Sequence, residues 1–334
     1  MTGAGPDARA ATIATAGDAR YLWGLFLLVA SARKAGMDVP FLVGTRGFSP
    51  RDSRVLAGLG GVEQLPLDGS RRSLTCLKSE VMLAARTPFV VWADSDAFFT
   101  GDVSDMLLPG REEEIHFRLR APDEMPSAFP PRRFGGDGRA VPPAVLDAWR
   151  ADVRAVAGSA REAPRYATTG SGCFLALSLA RHRPFLEIWD ALQKRVLPDR
   201  DVGVVDRSLA HYHQLDESTL NACLQFVPDA PRVQDVFRMD KDRERLFVHF
   251  IARPKPWEGW TRRALRFFGA YVSVVEWAEA SGLELPGPVP PCLRRPFERR
   301  ARLLAPWTEL RPKLARRLGA AFPVRPRPQK GGSP

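Results

Sequence analysis

The chain reads as an α/β protein built on a doubly wound, mostly parallel sheet; two observations lead there and a third narrows it. Short apolar runs alternate with helix-forming stretches through the first hundred residues, in the βαβαβ order that lays helices on the faces of parallel strands. The run Pro88–Phe99, PFVVWADSDAFF, is too short for a typical helix and carries two carboxylates separated by one small residue, as a buried strand does when it delivers charge at its carboxyl end. No GxGxxG follows the first strand, which argues against the usual dinucleotide fold.

Taken in order, Ala11–Thr15 is the first strand, Ala16-Gly17-Asp18 a turn, and Tyr21–Ala35 a helix ended by Gly36. Val39–Val43 is the next strand, Pro50–Gly58 a short helix, Val62–Leu65 a third strand, and Cys76–Ala85 a helix leading to the acidic strand. Asp94 and Asp96 then lie at a strand end, where open α/β sheets collect ligands, and alternate carboxylates there suit a hard cation bridging to phosphate. A solvated turn capping a core strand has the same signature. From Pro122 to Pro143 the composition shifts to Pro, Gly, Arg and Asp, an excursion outside the core that serves either as a mobile lid or as a plain surface insertion. Ala144–Ala157 returns to helix.

In Tyr166–Leu177 a Gly170-Ser171-Gly172 turn feeds a strand; its glycines would let backbone approach a ligand, and a simple bulge needs the same residues. Arg183–Arg195 is an amphipathic helix whose Phe185, Ile188, Trp189 and Leu192 form a core stripe. His211 and His213 precede a helix running to Leu224 and read as a polar face beside its start rather than as metal ligands. A last strand in Leu246–Trp257 hands His249 to the sheet edge, and a proline-stiffened turn fixes Lys255, whose compact charge suits phosphate oxygens.

The formal charge of +11 over 334 residues, 45% of them hydrophobic, is unevenly placed. Residues 293–334 hold twelve Arg/Lys against two Glu, leaving 37 basic and 36 acidic residues in the first 292. A nearly neutral body argues against a basic nucleic-acid-binding face, and no nucleic-acid partner is expected. Beyond the stiff linker Pro286–Pro291, Leu303, Trp307, Leu310, Leu314, Leu318 and Phe322 recur at steps of three or four among arginines. This basic amphipathic segment, interrupted by Pro306 and Pro312, either lies on an anionic membrane surface or docks on the body. From Pro323 on, the composition predicts disorder. Cys76, Cys173, Cys223 and Cys292 are dispersed, without a CxxC pair, which fits reduced thiols in a cytoplasmic protein. Met1–Gly5 has no basic leader and Leu22–Ala30 is too short to span a bilayer, so the expected location is cytoplasmic, with the inner membrane face open to the tail.

Four pieces stand in a fixed order: Asp94-Ser95-Asp96 after a hydrophobic strand, Gly170-Ser171-Gly172, Asp216-Glu217 with Leu220-Asn221, and His249-Phe250 followed by Lys255-Pro256-Trp257. Over about residues 11–260 they resemble the retaining nucleotide-sugar glycosyltransferases of GT-A fold that include glycogenin and the bacterial lipopolysaccharide galactosyltransferases, glycosyltransferase family 8. The resemblance implies a GT-A-like α/β domain over residues 1–285, with a nucleotide-binding half at about 11–110 and an acceptor-side half at about 111–285. A linker and basic helical segment (286–322) and a tail (323–334) follow.

It also implies that Asp94, Asp96 and His249 bind a divalent metal, Mn²⁺ or else Mg²⁺, which grips the donor pyrophosphate, and that Lys255 contacts the same group. Lys78 matches a basic position that contacts donor. Ser95 counts with the donor-binding residues, and Gly170, Ser171 and Gly172 would lie beneath the sugar. Asp216 matches the acid near the anomeric carbon, with Glu217 beside it as a catalytic candidate. Thr15 and Tyr21 lie where the group holds uridine, which makes the expected partners a UDP-sugar and an unidentified acceptor. Two departures concern sugar and acceptor: Glu217 replaces the common Gln, and Ile251-Ala252-Arg253-Pro254 replaces a glycine-bearing link.

Charge supports the same chemistry. Breaking a sugar–diphosphate bond develops negative charge on the leaving oxygen and positive charge on the anomeric carbon; metal and Lys255 would stabilise the first, Asp216 the second. Retention would proceed by same-face attack or through a covalent intermediate on Asp216. A sugar nucleotidyltransferase would need a glycine-rich, arginine-bearing loop that Ala14–Asp18 lacks, and the residues after Asp96 do not match a phosphohydrolase. A membrane-associated protein that binds nucleotide sugar without turnover is the non-enzymatic alternative.

Overall fold

The computed structural model describes residues 10–239, 243–250 and 253–321. Within them the chain forms two compact units, the first running to His249 and taking in Trp277–Pro286, the second comprising Phe250–Glu276 and the chain from Gly287 on.

In the first unit, β1 (Ala11–Asp18), α1 (Leu22–Lys34), β2 (Phe41–Arg46), α2 (Pro50–Ala57), β3 (Val62–Pro66), α3 (Lys78–Leu83) and β4 (Phe89–Ala93) give four parallel strands in the order β3-β2-β1-β4. Local chemistry sets these elements. Pro50 opens α2 behind a Ser49–Asp52 capping box. Almost every residue of α1 is buried, and its Ser31 Oγ accepts the Phe99 backbone N–H (3.1 Å) while donating to Leu28 O (2.8 Å). Ala16-Gly17-Asp18 is strand, not the expected turn, because β2 continues alongside it and pairs Ala16 with Gly44 and Asp18 with Arg46.

The chain then passes through β5 (Ala97–Phe99), α4 (Ser104–Leu107), β6 (Glu114–Leu119), α5 (Met125–Ala128), α6 (Pro131–Phe134), α7 (Pro143–Ala157), β7 (Gly170–Ser178) and α8 (Leu179–Val196). It continues with α9 (Asp216–Phe226), β8 (Arg232–Gln234), α10 (Val236–Met239), α11 (Arg243–Leu246) and β9 (Phe247–His249). β7 lies antiparallel to β4, β6 antiparallel to β7, and β8 parallel to β6, which completes a seven-stranded mixed sheet ordered β3-β2-β1-β4-β7-β6-β8. β5 and β9 form a separate antiparallel ribbon.

Three expectations change here. The Gly170-Ser171-Gly172 segment is the fully buried start of β7 rather than a turn before it. His249 stands on the two-stranded ribbon, not on the edge of the main sheet. The proline-rich excursion contributes Met125, Ala128, Phe129 and Val141 to the core, with the Phe129 ring tilted against Trp149 at 6.2 Å, so it is neither a free lid nor a plain surface insertion. The stripe of α8 is core as expected, with Phe185, Trp189 and Leu192 buried.

The second unit contains most of α12 (Phe268–Ala280) and all of α13 (Glu298–Ala321). Trp260 packs against Phe268 (5.0 Å) and Tyr271 (5.7 Å) and donates its Nε1–H to Cys292 O at 2.8 Å. The tail segment is one helix through Glu298–Ala321, not interrupted at Pro306 and Pro312, since each proline removes only one ladder bond and kinks are tolerated. Phe322 and the segment 323–334, for which disorder was expected, lie outside the described residues. The four cysteines are buried free thiols. Among the described residues no helix is long and apolar enough to cross a membrane.

Candidate active site

β4 ends at Ala93, and the chain turns at once: the Ala97 N–H donates to Asp94 O (2.8 Å), so Asp94 and Asp96 flank a tight corner before β5. β9 pairs with β5 in the register Ala97–His249, which brings the imidazole over that corner. His249 Nε2 lies 3.3 Å from Asp94 Oδ2 and 3.1 Å from Asp96 Oδ1. One ligand atom from each of the three residues lies within 4.8 Å of the others. Burial works against a charged imidazole, but neighbouring Cys173 and Asp96 overcome it and hold the His249 pKa well above its ordinary value. A proton held on an imidazole between two carboxylates is what a divalent cation would displace, and two carboxylate oxygens with one imidazole nitrogen are a donor set that suits such a cation. The residues therefore fit the metal expected there.

Lys78, the first residue of α3, ties this corner to the next acid. It is 5% exposed, and its Nζ lies 2.8 Å from Asp94 Oδ1, 2.9 Å from Asp216 Oδ2 and 3.0 Å from Gly172 O. Its three hydrogens thus meet three acceptors, leaving none over for a donor in this state. Burial opposes the ammonium charge, yet Asp216 and Asp94 hold its pKa well above the usual lysine range. The Trp92 ring lies 5.2 Å from Nζ, and Trp92 Nε1 donates to Asp94 Oδ1 at 2.7 Å.

Asp216 opens α9, where a helix amino end favours a carboxylate. Leu215, just before it, is fully buried and has φ 47°, the single positive value at a non-glycine residue among the described ones. Strain of this kind persists only where packing fixes the backbone, and here it sets the direction of the next side chain. Burial pushes the Asp216 pKa up to about 6, outweighing the downward pull of Lys78, with the charges of Asp94 and Glu217 adding to the rise.

Glu217 is engaged on both oxygens. Oε1 meets Arg120 Nη2 at 2.5 Å, and Oε2 accepts the Gly172 N–H at 3.2 Å. Arg120 also donates to Thr169 Oγ1 (3.1 Å) and Gly170 O (2.6 Å), while Asn221 accepts the Gly170 N–H at 2.6 Å and donates to Gly170 O at 3.0 Å. This bracing fixes the first residues of β7. A Cβ on Gly170 would lie 1.8 Å from Phe117 Cε1, so no side chain fits there. A Cβ on Gly172 would meet Asp216 Oδ2 at 3.6 Å and Lys78 Nζ at 3.7 Å, so this residue faces the acid and lysine. Ser171 points the other way, with its Oγ 3.6 Å from Cys173 Sγ.

Of the other expected residues, Ser95 sits between the two acids, half-buried. Thr15 is wholly buried on β1, its Oγ1 without a partner, and Tyr21 closes the short turn after that strand. Lys255 belongs to the second unit, buried, and donates its Nζ–H to Phe250 O at 2.6 Å. His213 is buried against Phe134 and Phe129; its Nε2–H donates to Ala128 O at 2.8 Å, and burial lowers its pKa. Trp92, Arg120, Asn221 and Cys173 are the parts to which the sequence alone assigns no role of their own, although Trp92, Asn221 and Cys173 stand inside its marked segments.

No protein-family model matches the chain, and no curated protein matches it. Solved structures do. The apo structure of the bifunctional glycosyltransferase WbbM matches with a TM-score of 0.54 at 12% identity, covering 80% of this chain and 50% of WbbM. The galactosyltransferase LgtC, in complex with donor and acceptor sugar analogs, matches with a TM-score of 0.50 at 13% identity, covering 80% of this chain and 95% of LgtC. The fold is that of the GT-A glycosyltransferases. The chain spans half the length of WbbM. In its GT-A sheet, Asp94 and Asp96 follow the carboxyl end of β4, the edge at which open α/β sheets bind ligands.

Proposed function

We propose that this chain is a retaining glycosyltransferase of the family 8 group, moving a sugar from a UDP-linked donor to an acceptor with the help of a divalent cation, Mn²⁺ ahead of Mg²⁺. One observation carries the reading: β4, the Asp94–Asp96 corner and β9 bring two carboxylates and an imidazole within 4.8 Å of one another, and Lys78 links that cluster to buried Asp216. Held by Asp94, Asp96 and His249, the cation would supply positive charge to the leaving diphosphate.

The chain's own residues do the rest. Asp216, ionised above about pH 6, offers the negative charge that a developing positive anomeric carbon requires. Gly172 presents no side chain beside Asp216 and Lys78, where the sugar would lie. Glu217, with both oxygens committed to Arg120 and Gly172, positions β7 rather than touching the reacting atoms. The exposed apolar stripe of α13 among arginines adds contact with an anionic membrane surface, at the inner face of the membrane.

The test needs no acceptor. UDP binding and slow hydrolysis of UDP-glucose, UDP-galactose and their N-acetyl forms are measured with Mn²⁺, with chelator, and in Asp96→Ala. Hydrolysis is expected to fall about a hundredfold or more on chelation or substitution. Equal UDP affinity in all three conditions would remove the metal role, and cation-dependent binding without any turnover would leave a binding protein.

A further inference from the structure

We propose that Arg72, braced by Arg46, is a second phosphate-holding point of this site, its two terminal nitrogens donating to oxygens of the donor's nucleoside diphosphate. The inference rests on the function proposed above and names a residue to which the sequence reading gave no role.

Arg72 follows β3 and is 7% exposed, yet neither Nη1 nor Nη2 has a hydrogen-bond partner. Its backbone is pinned: the N–H donates to Ser70 Oγ (3.3 Å), and the carbonyl accepts from Arg46 Nη2 (2.8 Å). Arg46 is the last residue of β2, and its own Nε is buried without a partner. Thr15 Oγ1, on the neighbouring strand β1, is in the same condition. Arg46 at the end of β2 and Arg72 beyond the end of β3 thus stand at the same sheet edge that carries Asp94 beyond β4.

Acids in this region have other partners. Asp18 is gripped by Arg20, with Nε at 2.9 Å and Nη2 at 2.5 Å from its Oδ2. Asp201 Oδ1 accepts from Ser73 Oγ (3.1 Å) and from the Gly203 N–H (2.9 Å). A buried guanidinium whose two terminal nitrogens meet no acceptor is unfavourable, and Arg72 therefore offers a surplus of donors. The complementary ligand is anionic and rich in acceptor oxygens, and a planar fork of two N–H groups matches two phosphate oxygens. Arg72 lies on the segment that leads from β3 into α3, whose first residue is Lys78.

The full chain, wild type and with Arg72→Gln or Arg72→Lys, is titrated calorimetrically with UDP, UMP, uridine and inorganic pyrophosphate in the presence of Mn²⁺, and separately with Mn²⁺ alone. Loss of a charge-assisted pair is expected to weaken UDP and pyrophosphate about ten- to a hundredfold in Arg72→Gln. Arg72→Lys, which keeps the charge and loses the fork, falls between, and uridine and Mn²⁺ bind as before. If the glutamine variant does not fold, the lysine variant carries the comparison. UDP binding equally to wild type and variants overturns the inference alone, as does a loss that is as large for uridine as for UDP, since the fork would then read the base. Failure of wild type to bind UDP with Mn²⁺ present sinks this inference and the proposed function together.

Discussion

A carboxylate as deeply buried as Asp216 is held between two opposing influences, desolvation that raises its pKa to about 6 and the Lys78 ammonium 2.9 Å away that lowers it. Only the ionised form can stabilise a developing positive charge, so sugar turnover is expected to fall as pH drops through about 6, some two units above an ordinary aspartate. Stability runs the other way. Because the folded pKa lies above the unfolded one, the native state holds the extra proton between them; this group's favourable contribution is complete below about pH 4 and is lost as pH rises through about 6. Acidification from pH 7 to 5 should therefore remove activity while easing the cost of burying Asp216. Turnover profiles for wild type and Asp216→Asn, with melting temperatures at each pH, check this. The variant should lose about a hundredfold or more in rate and show no limb near pH 6, and a wild-type midpoint near 4 would contradict the assignment.

Among the elements, the start of β7 separates what a glycine does for folding from what it does for chemistry. In Gly170→Ala the new methyl would overlap the buried Phe117 ring, and overpacking of that kind costs about 1–3 kcal/mol or more. In Gly172→Ala the methyl fits at ordinary contact distances but stands beside Asp216 and Lys78, so stability should change by less than about 0.5 kcal/mol while turnover falls. Thermal melts and hydrolysis rates on the two variants decide it; an unfolded Gly172→Ala or a fully stable Gly170→Ala would refute the picture. The same strand shows where sequence reasoning reaches its limit. Glycines at 170 and 172 resemble a turn because backbone freedom is their commonest use, whereas here one is demanded by an aromatic ring from β6. The βαβ order and the acidic corner after β4 were legible because periodicity and a hydrophobic run announce them. The β5–β9 ribbon was not, since three-residue strands carry no period, although it is what places His249. Arg120 was hidden for a related reason: an arginine entering a Pro- and Asp-rich stretch looks like a solvated loop until β7 and Glu217 are seen folded against it.

For the molecule as a whole, the charge is divided between a nearly neutral body and a basic C-terminal segment, and that division bears on where the chain works. α13 leaves Leu303 74% and Trp307 68% exposed, with Leu304 and Leu310 also open to solvent and Arg299, Arg300 and Arg302 close by in sequence. An apolar stripe set among arginines gains from an interface that accepts the first and attracts the second, with about 1 kcal/mol for each basic residue near an anionic surface. The full chain should therefore co-sediment with vesicles containing phosphatidylglycerol, bind weakly to purely zwitterionic vesicles, and be released by salt at about 0.5 M, where screening shortens the reach of the arginines. Replacing Leu303 and Trp307 together by Glu should abolish sedimentation, because it removes apolar area and adds repulsion on the same face. UDP affinity should stay unchanged in that variant, since neither residue belongs to the candidate site. Vesicle binding that is indifferent to lipid charge and to salt would show that the basic residues contribute nothing. Absence of binding to any vesicle would leave the stripe to a protein partner.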